Sequence, residues 1–148
     1  LGADVPFLVQ GGTAFAEGIG EKLKPVTVEF PKAVLVATPH CAVPTKDAYA
    51  GVKPSGNVRW EQFRSAWNGT LSFEFYNKFE ESVFPKYPMI QDLKNKLENL
   101  GAFKTLMSGS GASVFALFDS EENAKKALAI IEPTVRFSRI TQFKEKLI

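Results

Sequence analysis

Two one-sided helices separated by two short apolar runs dominate the second half of the chain. From about Pro88 to Leu100, residues Ile90, Leu93, Leu97 and Leu100 fall on one helical stripe, Asp92 is spaced to pair with Lys96, and Gly101 supplies an end signal. Ser120 is placed to cap a second helix, whose Ala124, Ala127, Leu128 and Ile131 share a face until Pro133 stops it. Between the two, Phe103 to Met107 and Val114 to Phe118 read as strands around a glycine turn. Ala33 to Thr38 is a further apolar run ending at Pro39, and Val135 to Ile140 closes the pattern as a last strand. Helices with one apolar face must cover something, so the pattern predicts an α+β layer: an antiparallel sheet with helices on one face.

The rest of the chain carries weaker signals. Residues 13–28 predict two short strands, with Thr13, Phe15, Val26 and Val28 around a turn at Gly18 and Gly20. Pro44 opens a helix with Thr45 in its first turn and Tyr49 one turn later. Residues 51–57 are loop by composition, and 60–67 and 73–84 are expected to be helical on either side of Asn68-Gly69. At 148 residues the chain has the length of one domain and can bury a core without metals or disulfides. Its net charge of +2 implies neither a nucleic acid nor a membrane partner, and no apolar run approaches the roughly 20 residues a span requires. One cysteine, Cys41, excludes an internal disulfide and suits a reducing cytoplasm. The start at Leu1, already inside a patterned segment, leads to the expectation of a region upstream.

Three segments could carry chemistry. Met107 to Ser113, MSGSGAS, has small residues that allow positive φ and close backbone approach, and its amides could form an anion-binding nest; a plain tight turn explains it equally well. It lacks the Lys-Ser/Thr of a phosphate-binding P-loop, and a strand rather than a helix follows it, so it is no dinucleotide fingerprint. Asp4 is an acid in apolar company, either functional or the N-cap of a short helix. His40 and Cys41 are too few for a tetrahedral metal site and are read as structural, and no metal ligand is expected. Asn68-Gly69-Thr70 is a glycosylation sequon by pattern and is read as chance.

In order, GADVPFLVQGGTAFAEGIGEKLKPV, VATPHCAVPTKDAYAGV and MSGSGASVFALF resemble consecutive blocks of the 4-diphosphocytidyl-2-C-methyl-D-erythritol kinase family, within the superfamily of galactokinase, homoserine kinase and mevalonate kinase. The resemblance runs from Leu1 to about Phe118 and is weak between about 51 and 72. It implies a ferredoxin-like carboxy-terminal lobe spanning 1–148, with an amino-terminal ATP-binding lobe as its partner, and phosphorylation of a cytidyl substrate by ATP with Mg2+. It implies Asp4 as the catalytic aspartate, Thr45 beside it, and Tyr49 against the cytosine. It also implies Gly18, Ile19 and Gly20 near the nucleotide part of the substrate, and Ser108, Gly109, Ser110, Gly111 and Ala112 as support for the ATP phosphate loop. Asn77-Lys78 departs from an Asn-Asp pair common in the family, which implies a weaker helix cap. The implied location is cytoplasmic, or plastid for a plant-type source. A homoserine- or mevalonate-type kinase and a non-catalytic binding module are the alternatives.

Overall fold

The computed structural model describes residue 2 and residues 5–25, 33–53 and 76–143. Asp4, Val26 and Val28, the loop at 54–57, the helix expected at 60–67, the sequon and residues 73–75 lie outside the described residues. The chain divides into two compact units, one with residues 5–25 and the other with 33–53 and 76–142.

In the first unit a short helix α1, Val5–Gln10, ends where Gly11 and Gly12 turn to φ of 66° and 75°. The antiparallel hairpin of β1, Ala14–Glu17, and β2, Lys22–Pro25, follows.

The second unit is built on a four-stranded antiparallel sheet. Its strands are β3 (Ala33–Thr38), β4 (Lys104–Met107), β5 (Val114–Phe118) and β6 (Phe137–Thr141), in the spatial order β4-β5-β3-β6. Between β3 and β4 come α2 (Thr45–Ala50), α3 (Glu80–Val83) and α4 (Pro88–Asn99), and between β5 and β6 comes α5 (Glu121–Ile131) with a 3-10 turn at Glu132–Thr134. Counting α4 and α5 as the crossovers gives β-α-β-β-α-β with the first strand inside the sheet, which is the ferredoxin-like arrangement.

Strand alternation decides which face is covered. Leu35 lies opposite both Ala116 and Ile140, and Ala116 lies opposite Thr105. On that face Ala33, Leu35, Ala37, Val114, Ala116, Phe118, Met107 and Thr105 are each no more than 1% exposed. They share one core cluster, Thr105 aside, with Ile90, Leu93 and Leu97 of α4 and Ala124, Ala127 and Ile131 of α5, so both long helices cover the same face. The buried hydroxyl of Thr105 is satisfied by the Glu98 carboxylate of α4.

The local signals of the long elements act as the sequence indicates. Ser120 is the N-cap of α5 and its Oγ accepts from Asn123 N at 3.2 Å. Gly101 takes φ of 93° just past α4 with open space where a Cβ would be. Two expectations fail. Asp92 and Lys96 form no ion pair among the described residues, whose pairs in this unit are Lys78–Glu81, Lys94–Glu80, Lys125–Glu121 and Lys126–Glu122. In the described part of the helix expected over 73–84, residues 76–79 are not helical and the helix starts at Glu80, because Asn77 Oδ1 accepts from Phe79 N at 3.0 Å and holds a turn there.

Leu35→Ala is expected to cost about 2–5 kcal/mol, since β3 contacts β5, β6 and α5 and leaves little room to collapse. Ser120→Ala should cost about 1 kcal/mol, the worth of one cap. Urea unfolding of both variants checks this; a Leu35 variant no weaker than the cap variant would remove β3 from the core.

Candidate functional site

The loop from Ser108 to Ser113 joins β4 to β5. It is closed by Ser108 N donating to Ser113 O at 2.8 Å and Gly111 N donating to Ser108 O at 2.9 Å. Gly109 and Gly111 adopt φ of 53° and 92°, where a side chain is strained. A Cβ on Gly111 would stand 2.9 Å from Met107 Sδ and 3.4 Å from Val43 Cγ2, so Gly111 is also fixed by space. The backbone amides of Gly109 and Ser110 have no hydrogen-bond partner among the described residues. An exposed turn with small residues and free amides can approach and bind an anion.

The loop hangs from an edge strand, and edge strands present unpaired backbone groups. β4 is such an edge. Glu80 Oε1 accepts from Met107 N at 2.8 Å, and Asn77 Nδ2 donates to Met107 O at 2.7 Å and to Gly109 O at 2.8 Å. The outward N–H and C=O of the last β4 residue are thus both met by side chains at the start of α3. Glu80 is largely buried and pairs with Lys94 at 2.7 Å, and the Lys94 ammonium also lies 5.6 Å from the Phe84 ring centroid. Removing one partner of such a pair leaves a desolvated charge, so Glu80 and Lys94 hold the edge together only as a unit.

The other end of the loop meets β3 and α2. Ser113 Oγ and Thr38 Oγ1 are hydrogen-bonded at 2.8 Å, and Ser110 Oγ and Thr45 Oγ1 are 3.4 Å apart. Pro44 stands at the N-cap of α2 with extended ψ, and its carbonyl accepts from Asp47 N and Ala48 N. Pro44 therefore sets Thr45 at the first turn, beside Ser110. Tyr49, one turn on, is 64% exposed and meets the Phe79 ring edge to face at 4.8 Å. One side of that ring is packing and the rest is open for a ligand. Ser82 Oγ donates to Ala48 O at 3.2 Å, and a Cβ on Gly51 would come within 2.5 Å of Ser82 Cβ, which shows how closely α2 and α3 meet.

Lys78, where the sequence departs from the pattern of the family it resembles, pairs with Glu81 at 2.6 Å. That hydrogen bond holds its ammonium above the usual lysine range. A lysine at a helix start opposes the helix dipole, and Glu80 and Glu81 in the first turn offset it.

The structure brings Thr45, Tyr49 and Ser108 to Ala112 together in the second unit. Gly18, Ile19 and Gly20 form the tip of the hairpin in the first unit, where Ile19 N already donates to Glu21 Oε2 at 2.8 Å. Glu21 also fills the space beside Gly18, where its carboxylate would clash with a Cβ. Asp4 lies outside the described residues, and α1 begins directly after it in the sequence. Sequence reasoning missed Glu80 and Lys94, and gave Asn77 only a weakened cap. Their partners lie 14 to 32 residues away, so no local spacing reveals them.

Cys41 is half-buried; burial pushes its thiol up, and Arg136 partly opposes this. Alkylation by iodoacetamide should therefore rise only at a pH above that for a free cysteine, and further up in Arg136→Ala; a profile at or below the free thiol's refutes the assignment. Gly111→Ala should disturb the loop far more than Gly101→Ala, which meets only the cost of a left-handed backbone, about 1–2 kcal/mol. Thermal melts of the two variants compare them directly.

Residues 61–133 match the family described as GHMP kinases C terminal. The chain is 40% identical over 132 residues to a 4-diphosphocytidyl-2-C-methyl-D-erythritol kinase of Bacteroides fragilis, covering 85% of this chain and 47% of that protein. It is 38% identical over 138 residues to the enzyme of the same name from Geobacter metallireducens, covering 86% of this chain and 46% of that one. Among solved structures, a crystal structure of 4-(cytidine 5'-diphospho)-2C-methyl-D-erythritol kinase superposes with a TM-score of 0.71 at 28% identity, covering 98% of this chain and 55% of the other. The chain spans about half the length of the curated relatives it matches.

Proposed function

We propose that this chain, a member of the GHMP kinase family by its carboxy-terminal domain, forms the carboxy-terminal half of an enzyme that phosphorylates the 2-hydroxyl of 4-diphosphocytidyl-2-C-methyl-D-erythritol with ATP. The observation that carries this reading is identity of 38–40% with relatives of that name over about 85% of the chain. The reaction belongs to non-mevalonate isoprenoid biosynthesis. An amino-terminal lobe supplies the ATP phosphate loop, and the carboxy-terminal half alone is inactive.

Phosphoryl transfer relies on positioning and charge neutralisation. The loop Ser108–Ser113 fits the neighbourhood of a polyphosphate, since it offers the free amides of Gly109 and Ser110 and no carboxylate of its own. ATP supplies the phosphoryl group, and magnesium accompanies its phosphates. The described residues contain no cluster of three or more His, Cys, Asp or Glu able to hold a metal. Asp4 accepts the proton of the attacking hydroxyl, or orients it. Thr45, beside Ser110, helps position the reacting groups. Tyr49 offers the open part of its ring to the cytosine, and Gly18 to Gly20 approach the nucleotide part through backbone atoms. Among the described residues no helix is long and apolar enough to cross a membrane. The relatives named above are bacterial, which fits a cytoplasmic setting and lends no weight to a plastid one.

The test is ADP release by the full-length protein containing this chain, with ATP and the cytidyl substrate. Asp4→Asn should lower kcat by about 10²–10⁴-fold, the usual worth of a positioned general base. Tyr49→Ala should raise KM for the cytidyl substrate by about 5- to 150-fold, the equivalent of about 1–3 kcal/mol of stacking, while Tyr49→Phe stays near the parent. A folded parent that releases no ADP with this substrate rejects the assignment; release with homoserine or mevalonate instead moves it to another member of the superfamily.

A further inference from the structure

We infer that Asn77 is a positioning residue for the nucleotide side of this reaction, acting by fixing one orientation of the Gly109–Ser110 peptide; the inference rests on the kinase reading above. Asn77 Nδ2 holds the carbonyl of Gly109 at 2.8 Å and that of Met107 at 2.7 Å. The Gly109–Ser110 peptide is trans, and a trans peptide directs its C=O and N–H to opposite sides. Drawing the Gly109 carbonyl toward Asn77 therefore turns the Ser110 N–H away from it. That N–H has no partner among the described residues.

A peptide next to a glycine flips at little steric cost, so the loop by itself does not choose between its two faces. One face offers an N–H to an anionic oxygen, and the other offers a carbonyl that repels it. Asn77 chooses the first. Its own carboxamide is fixed, because Oδ1 accepts from Phe79 N at 3.0 Å while Nδ2 gives both donor bonds, and a flipped amide loses all three. Glu80 steadies the same strand end through Met107 N.

The experiment uses the full-length protein, with ATP affinity by titration calorimetry and steady-state kinetics for both substrates. Asn77→Asp keeps an oxygen for Phe79 N but loses both donor bonds and sets a carboxylate oxygen against two carbonyls. Asn77→Ala loses everything. Two lost hydrogen bonds predict that kcat/KM for ATP and ATP affinity fall by about tenfold or more in both variants, with KM for the cytidyl substrate within about threefold of the parent. Changes within about twofold in both variants overturn the inference. So does a loss that strikes both substrates equally and follows the drop in melting temperature, because that is a purely structural role. Should the parent bind ATP but fail to phosphorylate the cytidyl substrate, the acceptor reading falls while ATP affinity still decides: weaker binding in Asn77→Asp supports the role of Asn77 and unchanged binding overturns it. A folded parent that binds no ATP overturns both.

Discussion

The second unit depends on burying one face of its sheet beneath two helices. β3 lies inside that sheet and pairs with β5 on one side and β6 on the other, so Leu35 contributes to both ladders and to the core at once. Each fully buried side chain of this size contributes about 1.5–3 kcal/mol by leaving water. The alanines at 33, 37, 116, 124 and 127 are buried in the same cluster, and their small size lets helix and sheet backbones approach closely. Bulk is supplied by Phe118, Leu35, Ile90 and Leu97.

A packed face leaves the edges of a sheet unsolved, and the candidate site grows from one of them. At the end of β4 a glutamate from a partly buried ion pair and a carboxamide take up backbone groups that would otherwise face outward. The Asn77 carboxamide also reaches past the strand to the loop, at the Gly109 carbonyl. Edge protection and loop geometry therefore meet in Asn77, and residues that stabilise the fold also shape the candidate site. The exposed pairs Lys125–Glu121 and Lys126–Glu122 on α5 are different, since each is a solvated i,i+4 contact that adds little to stability.

Much of this was legible in the residues. The stripes of α4 and α5, the cap at Ser120 and the strands on either side of the glycine turn follow from periodicity, a capping hydroxyl and positive-φ glycines. Pro44 opening a helix that carries Thr45 and Tyr49 was legible for the same reason. The start of α3 was not, because Asn77 spends its side chain on a turn and on distant carbonyls instead of a helix. Nor was the pairing of acids with lysines: Asp92 had the right spacing to Lys96, whereas Glu80 found Lys94 fourteen residues away.

The sequence by itself therefore determined the kinds of element, their order and the face each would bury, since these depend on neighbours within one or two turns. The resemblance of its glycine-rich blocks to a kinase family also came from the sequence alone, because those blocks are contiguous. Only the tertiary structure decided the strand order β4-β5-β3-β6, the joining of Asn77 and Glu80 to the end of β4, and the presentation of the Ser110 amide. The strand order depends on pairings such as Leu35 with Ala116 and with Ile140, and the contacts of Asn77 and Glu80 on groups 27 to 32 residues apart, where chain spacing carries no record of the contact.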